Sequence, residues 1–271
     1  MTEHEWTAAA DPARRVGRLV EFHPQLPSTN DRARAVLAGS SADGDGLAVV
    51  ADLQTAGRGR RGRIWESPAG ANLMVSVALR PQLPASRAGL LGIAAALAVR
   101  DASASMVPED VLRVKWPNDV VTTDGRKLAG LLVETAIRGE DLAEAIIGMG
   151  INVNWPAADL PAELQGRATS LRDLAGAELD RVELLRRLLD ALAAEVEALE
   201  RGASPLERLA GVSALDGRRI VVDTGDGELE GTAAGVTAEG QLVLASVAGM
   251  ATLAVGEVVA VRDLEHAGAS R

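Results

Sequence analysis

The chain has 271 residues, a formal net charge of −10 and no cysteine. Disulfides, thiolate metal sites and a cysteine nucleophile are therefore excluded, and the acidic balance argues against broad nucleic-acid binding, which relies on a basic face. The N-terminal residues contain no apolar signal-like core and no stretch reaches ~18 apolar residues, which predicts a soluble, cytoplasmic protein without membrane contact.

Lysine and asparagine are unusually scarce. Only Lys115 and Lys127 occur among the 28 basic residues, and asparagine occurs at five positions. We infer a coding bias that replaces lysine with arginine wherever either residue serves. The remaining lysines are then enriched at positions where their chemistry is needed, with chance survival as the alternative.

The first half of the chain alternates helical and strand patterns. Residues 1–15 are predicted to form a disordered tail. Pro27–Leu37 combines Ser/Thr caps with a short helix, and Gly46–Asp52 is a buried strand. Asn72–Arg80 alternates apolar residues on one face, which predicts a half-buried strand. Ser86–Ala102 is a strongly apolar helix that we expect to pack against a sheet.

The second half begins with three strands and continues with a long helix. The strands are predicted at Val111–Trp116, Lys127–Ala136 and Glu144–Val153, joined by short polar turns. Asp180 resembles a helix N-cap and precedes an amphipathic pattern that runs to about Arg201. This order of elements predicts a mixed α/β (α+β) domain.

The C-terminal part has a different texture. From Gly217 to Arg262, short strand patterns are separated by the turn sequences DTGDGE, TAEG and AGM. Turn signals at this spacing predict a small β-barrel. We therefore predict two domains, at residues 16–210 and 214–264.

The sequence GRGRRGR, here called the arginine loop (Gly57–Arg63), concentrates positive charge in an acidic protein. Its glycines spell G-x-G-x-x-G, but no helix pattern follows, and no acidic residue occurs between Glu66 and Asp101, so a Rossmann site is excluded. Neither lysine lies in a P-loop sequence. The loop can fold over a small polyanion, with guanidinium groups matched to phosphate or carboxylate. A solvated surface loop is the alternative.

Three neighbouring stretches carry further candidate residues. Trp65 follows the arginine loop and either stacks on a base or anchors the loop. VKWPNDV contains Asn118 and Asp119 in a turn at a strand end, and Lys127 begins the next strand at the same end of the hairpin. A lysine there suits stabilisation of charge on a phosphoryl group, although a plain surface lysine is the alternative.

Asn152 interrupts the apolar strand GMGINVN, so burial there requires a hydrogen-bond partner. It is either a site residue or a structural cap of the strand end. The three histidines are scattered along the chain, which argues against a histidine metal site or a Ser-His-Asp triad. No protein metal site is predicted.

The motifs PSTN, LQTAGRGRRGRIWESP, VKWPNDV, KLAGLLVE and GMGINVN occur here in the order found in biotin protein ligases, also called biotin–acetyl-CoA-carboxylase ligases. The resemblance extends from about residue 18 to 262. It implies a catalytic domain similar to class II aminoacyl-tRNA synthetases, followed by a Src-homology-3-like barrel. Some members carry an N-terminal DNA-binding domain, but only 27 residues precede Ser28, so we expect none here and no DNA binding.

The resemblance also implies a two-step reaction. Biotin and MgATP give biotinyl-5′-AMP and pyrophosphate, and the activated biotin then passes to one lysine of a biotin carboxyl carrier domain. The acceptor carboxylase and the oligomeric state are left open.

Residue by residue, the resemblance implies three groups of site residues. Those at biotin are Ser28, Thr29, Asn30, Gln54, Arg58, Gly59, Arg60 and Lys127. Those at ATP are Arg61, Arg63, Trp65, Asn118, Lys127 and Asn152. Lys127 would bridge the biotin carboxylate and the α-phosphate, Arg60 would close over the adenylate, and Asp119 would receive the acceptor's proton; these three are the predicted catalytic residues.

Two alternatives stay open at this stage. A lipoate or other carboxylate–protein ligase would share the architecture and the adenylate chemistry. An Arg/Gly-type RNA-binding module would explain the arginine loop, but the acidic charge balance and the scarcity of aromatic residues argue against it.

Overall fold

The computed structural model describes residues 2–39, 44–108 and 110–262. Its main element is a seven-stranded sheet with the order β1-β2-β3-β7-β6-β5-β4. Only β1 and β2 are parallel, and the other neighbouring pairs are antiparallel. The strands are β1 (Leu19–His23), β2 (Leu47–Ala51), β3 (Leu73–Leu79), β4 (Leu112–Lys115), β5 (Asp119–Thr122), β6 (Lys127–Arg138) and β7 (Asp141–Ile151).

Helices cover both faces of this sheet. On one face α2 packs on β2, β3 and β7, while α3 packs on the other face and is itself covered by α5. The helices are α1 (Glu3–Thr7), α2 (Thr29–Ala38), α3 (Ala88–Ala104), α4 (Leu171–Ala175), α5 (Arg181–Glu200) and α6 (Leu206–Val212). The predicted apolar helix corresponds to α3, and the predicted cap is confirmed, because the Asp180 carboxylate accepts the backbone N–H groups of Val182 and Glu183.

The prediction of a half-buried strand at Asn72–Arg80 is wrong. All seven residues of β3 are buried. Leu73, Val75, Val77 and Leu79 face the core under α3, and Ala78 faces a second cluster that includes Ala33 and Leu37 of α2. The alternation seen in the sequence therefore does not separate a buried face from an exposed one, because both faces are covered.

The prediction of a disordered tail at residues 1–15 is also wrong for the residues described. Thr2 caps α1 in a capping box with Glu5. Trp6 is fully buried, and its indole stacks on Phe22 of β1 with ring centroids 5.6 Å apart. One buried tryptophan is worth about 2–3 kcal/mol of transfer free energy, which is enough to hold a short helix against a sheet edge.

A second, antiparallel sheet of five strands follows, with the order β11-β10-β9-β8-β12. Its strands are β8 (Arg219–Asp223), β9 (Glu228–Val236), β10 (Leu242–Ser246), β11 (Gly249–Leu253) and β12 (Glu257–Arg262). This sheet has its own apolar cluster, into which Trp116 inserts from the turn after β4. The Trp116 indole N–H donates to Gly240 O at 3.0 Å, so the two sheets are joined beside the turn that follows β4.

The predicted C-terminal domain, residues 214–264, contains all five strands of this sheet, and its residues 263–264 lie outside the described residues. The domain division itself stays a prediction. Within the described ranges, no helix is both long and apolar enough to cross a membrane.

Candidate active site

A cavity of about 790 Å³ lies where β5 and β6 begin and β7 ends. Its walls come from the start of α2, the arginine loop, the turn after β4, the segment 155–168 and β12 of the second sheet. It is lined by Ser28, Thr29, Asn30, Gln54, Arg58, Gly59, Arg60, Arg63, Trp65, Asn118, Asp119, Lys127 and Asn152. Every predicted site residue except Arg61 therefore lies at one cavity.

One end of the cavity is polar and uncharged. The Gln54 amide oxygen accepts the backbone N–H of Thr29 at 2.7 Å and its hydroxyl at 3.0 Å. Below them the buried Ser76 hydroxyl lies 2.6 Å from both Thr29 Oγ1 and Asn30 Oδ1. These groups hold one another in fixed orientations at the N-terminus of α2.

Ser76 was missed by the sequence analysis. It is fully buried in β3, and its hydroxyl joins two predicted site residues. The signal was present, since a serine in the otherwise apolar strand LMVSVAL needs a partner when buried.

Charged groups fix the Asn30 amide from the other side. Its Nδ2 donates to Glu134 Oε2 at 2.6 Å, and Glu134 also pairs with Arg34 at 2.7 Å. Arg34 pairs with Asp31, which in turn accepts two hydrogen bonds of 2.6 Å from Arg58. The Arg58 guanidinium lowers the pKa of Asp31 to about 2. A continuous polar network thus connects Asn30 with the start of the arginine loop.

Two glycines of β7 are required by close approach. A Cβ at Gly148 would lie 2.2 Å from Asn30 Oδ1, and a Cβ at Gly150 would lie 2.5 Å from the Trp65 indole. At these two positions the sheet therefore carries no side chain on the cavity side, and Trp65 lies directly against its backbone. The Trp65 Nε1 is buried without a hydrogen-bond partner.

The arginine loop is a tight hairpin. Gly59 N–H donates to Arg63 O at 2.8 Å, and Trp65 N–H donates to Gly57 O at 3.0 Å. Arg60 points inwards, and its guanidinium donates to Asn118 Oδ1 at 3.2 Å and to Gly256 O at 3.1 Å. Burial lowers the pKa of Arg60 from its ordinary value.

Arg61 differs from its neighbours. Its backbone is left-handed, with φ 56°, and its guanidinium turns away from the cavity to pair with Asp223 of the second sheet at 2.6 Å. The structure does not bring Arg61 to the position expected of a phosphate ligand. Arg63 does line the cavity, and it pairs with Glu257 of β12 at 2.5 Å.

Charged side chains of both signs line another part of the cavity. Lys127 opens β6 and pairs with Asp119 of β5 at 2.6 Å, while its ammonium lies 5.8 Å from the centroid of the Trp65 ring. Asn118 donates from its amide to Leu131 O at 2.7 Å. Lys127, Asp119 and Asn118 are thus brought together, but the predicted hairpin is wrong, because the strand β5 lies between β4 and β6 and Lys127 is in register with Val121 of β5.

The structure leaves Asn152 compatible with both predicted roles, a site residue and a structural residue at the strand end. It lines the cavity, and its amide donates to Thr169 O at 3.1 Å while Asn72 approaches its oxygen at 3.5 Å. The Thr169 N–H in turn donates to Lys127 O at 3.0 Å. Asn152 therefore supports the segment that runs beside Lys127.

Further charged residues that the sequence analysis did not assign to the site also line the cavity: Glu66, Lys115, Asp124, Glu163, Arg167 and Glu257. Of these only Lys115 carried a signal, the scarcity of lysine. In the described ranges, no group of three or more His, Asp or Glu side chains is arranged to hold a metal ion.

Comparisons with known proteins show the family of the chain. A model of the biotin/lipoate A/B protein ligase family matches residues 22–152. The biotin–[acetyl-CoA-carboxylase] ligase of Mycobacterium tuberculosis is 37% identical over 253 residues, covering 90% of this chain and 90% of that protein. The bifunctional ligase/repressor BirA of Bacillus subtilis is 36% identical, covering 84% of this chain and 70% of that protein.

The structural comparison agrees. Biotin protein ligase from Aquifex aeolicus, in complex with biotin and ATP, matches with a TM-score of 0.72 and 26% identity, covering 90% of this chain and 99% of that one. This match confirms the predicted fold class, a mixed α/β domain with a second antiparallel sheet at its C-terminus. Since identity above a third extends over nearly the whole length of a curated relative, the chain belongs to the biotin protein ligases.

Proposed function

We propose that this protein activates biotin with ATP and transfers the biotinyl group to a lysine of a carrier domain. The observation that carries the proposal is that one cavity contains both an uncharged polar end and the side chains of Lys127 and Arg60. A substrate that joins a neutral polar head, a carboxylate and a phosphate matches that combination.

The uncharged end favours biotin over lipoate. A ureido group has two N–H donors and one carbonyl acceptor, which can satisfy the Thr29, Asn30 and Gln54 side chains together with backbone N–H groups. A dithiolane ring offers no comparable hydrogen bonds. Any polar atom of these side chains that faces the ligand would then lose water without gaining a partner, at a cost of about 1–3 kcal/mol for each group.

The side chains of Lys127 and Arg60 support the first step. An oxygen of the biotin carboxylate bonds to the α-phosphorus of ATP, the bond from that phosphorus to the bridging oxygen breaks, and pyrophosphate leaves. Negative charge builds up around the α-phosphate, and Lys127 and Arg60 are the groups we assign to stabilise it. Magnesium is treated as part of the nucleotide substrate, because phosphate oxygens are its ordinary ligands.

The arginine loop suits protection of the product. Biotinyl-5′-AMP is a mixed anhydride that water hydrolyses, so the site needs a cover that excludes solvent. The inward Arg60 and the hydrogen bonds that close the loop support this role. No covalent enzyme intermediate is required, which agrees with the absence of cysteine.

In the second step, the amine of an acceptor lysine attacks the acyl carbon of the adenylate, an amide forms and AMP leaves. Asp119 is the group we assign to receive the proton of the amine, since its carboxylate lies beside Lys127. The acceptor is proposed to be a biotin carboxyl carrier domain of an acyl-CoA carboxylase. We propose that the reaction takes place in the cytoplasm, where ATP is available.

Mass spectrometry of a carrier domain after incubation with this protein and MgATP tests the proposal. One sample contains biotin and a matched sample contains lipoate. We expect the mass increase of one biotinyl group on one lysine with biotin and no change with lipoate. Labelling with lipoate alone would contradict the substrate assignment, and no labelling with either would contradict the transfer step.

A further inference from the structure

Lys115 is a cation in the cavity to which the reaction above assigns no role. It lines the cavity, and its Nζ donates to Val258 O of β12 at 3.0 Å. An ammonium has three donors, so two remain for other partners. In the parts of the chain that the structure describes, no carboxylate forms an ion pair with it, whereas Lys127 pairs with Asp119 and Arg63 pairs with Glu257.

Lys115 lies next to two of the predicted catalytic residues, Asp119 and Lys127. Lys115 is the register partner of Asp119 in the β4–β5 pair, and Asp119 is the partner of Lys127. Burial lowers the pKa of Lys115, with opposing contributions from the charges of Asp119 and Glu257. A largely buried cation without a paired anion is costly, and an anionic ligand at its free donors would offset that cost.

We propose that Lys115 binds the β- and γ-phosphates of ATP, which leave as pyrophosphate. This assignment rests on the proposed function. Lys127 acts at the α-phosphate, and the triphosphate needs a second cation further along the chain of phosphates. When the bond to the α-phosphorus breaks, the bridging oxygen on the β-phosphate keeps the electron pair, and the Lys115 ammonium stabilises that charge.

The second sheet thereby gains a role in the first step. Val258 O lies in β12, and it is the protein group that orients the Lys115 ammonium. The attachment of this sheet to the first domain then sets the position of the pyrophosphate-binding cation.

Two substitutions test the assignment in the full-length protein. Lys115→Gln removes the charge but keeps a donor for Val258 O, and Lys115→Met removes both. For both variants we expect the KM for MgATP, and the KM for pyrophosphate in the reverse reaction, to rise about 10- to 100-fold. The KM for biotin should stay within about twofold. Transfer from supplied biotinyl-5′-AMP to the carrier should be unchanged, because that step contains no pyrophosphate.

The matched control is Arg113→Gln, which removes a cation from the same strand. Arg113 contacts Asp110 and does not line the cavity. Unchanged KM values for MgATP and pyrophosphate in Lys115→Gln would overturn the assignment. A loss in both half-reactions together with a lower Tm would also overturn it, since Lys115 would then be a structural tether. A wild-type protein without biotin-dependent pyrophosphate exchange would instead refute the proposed function, and this inference with it.

Discussion

Lys127 is the first residue of β6. Its ammonium forms an ion pair with Asp119 and lies over the face of the Trp65 ring. The ion pair fixes the ammonium at the cavity wall, and the ring excludes water from one side of it. A cation that is already oriented costs no reorganisation when charge develops on the α-phosphate. Its effect should therefore be on the rate of adenylation.

Lys127→Ala should slow the formation of biotinyl-5′-AMP about 100-fold or more, because the developing phosphate charge loses its fixed cation. A single-turnover assay with saturating biotin and MgATP measures this rate. Arg138→Gln, at the other end of β6, is the control, since Arg138 is exposed and does not line the cavity. A near-normal rate in Lys127→Ala would refute the assigned role.

Ser76 is the second residue whose removal is informative. Ser76→Ala should raise the KM for biotin about tenfold, because Thr29 and Asn30 lose the hydroxyl that orients them, while the KM for ATP stays close to normal. The free energy of unfolding should fall by about 1–3 kcal/mol.

Ser103→Ala is the matched control for Ser76→Ala, since Ser103 is equally buried and its hydroxyl has no hydrogen-bond partner. It should leave both KM values unchanged. Equal effects of the two substitutions on the KM for biotin would show that Ser76 only fills space.

At the scale of elements, the arginine loop is the part of the site with the least apolar support. Its backbone bonds are few, and three of its arginines are exposed. It is held by directed polar contacts to four different elements: Asp31 of α2, Asn118 in the turn after β4, and the strands β8 and β12. A segment held in this way can open and close without disturbing the core.

Arg60→Gly should let the adenylate escape, because the inward guanidinium and its two hydrogen bonds are lost. We expect more biotin on lysines of bystander proteins, measured by mass spectrometry of an added non-carrier protein. Arg61→Gly is the matched comparison and should have a smaller effect, since Arg61 points away from the cavity, its left-handed backbone accepts glycine, and only its exposed pair with Asp223 is lost. Equal selectivity in the two variants would argue against retention by Arg60.

The elements were largely predictable, because each depends on a local pattern. The cap at Asp180, the apolar helix α3 and the strand that begins at Lys127 follow from spacing alone. The burial of β3 on both faces was not predictable from its own residues, since it depends on α2 packing there. The same holds for Trp6, whose docking depends on Phe22 of a strand that follows later in the chain.

The motifs predicted which residues belong to the site, but not the direction in which each side chain points. The sequence gives Arg60 and Arg61 the same letter, yet a left-handed φ at Arg61 sends one guanidinium into the cavity and the other to Asp223. Contacts with the second sheet, such as the one between Lys115 and Val258, join residues 143 positions apart. A local sequence pattern cannot predict contacts between residues so far apart in the chain.

At the scale of the whole molecule, the second sheet contacts the arginine loop through ion pairs and a hydrogen bond. Asp223 and Glu257 pair with Arg61 and Arg63, and Gly256 O accepts from Arg60. Exposed ion pairs are individually weak, at about 0.2–1 kcal/mol each. Together they bias the arginine loop towards the closed position, so the second sheet contributes to retention of the adenylate.

The double variant Asp223→Asn/Glu257→Gln should release biotinyl-5′-AMP about threefold to tenfold faster, since two exposed pairs are lost. Salt should accelerate release from the wild type but have less effect on the variant, because screening weakens the same pairs. Glu230→Gln, which removes the partner of Arg219 in the same sheet, is the control. Release rates that match the wild type at every salt concentration would contradict the closing role.

The central claim is that one cavity joins biotin to ATP before any acceptor arrives. Biotin-dependent exchange of labelled pyrophosphate into ATP, with no carrier domain present, measures this step alone. We predict exchange with biotin, none without it and none with lipoate in its place. An absence of exchange with biotin at saturating MgATP would contradict the account.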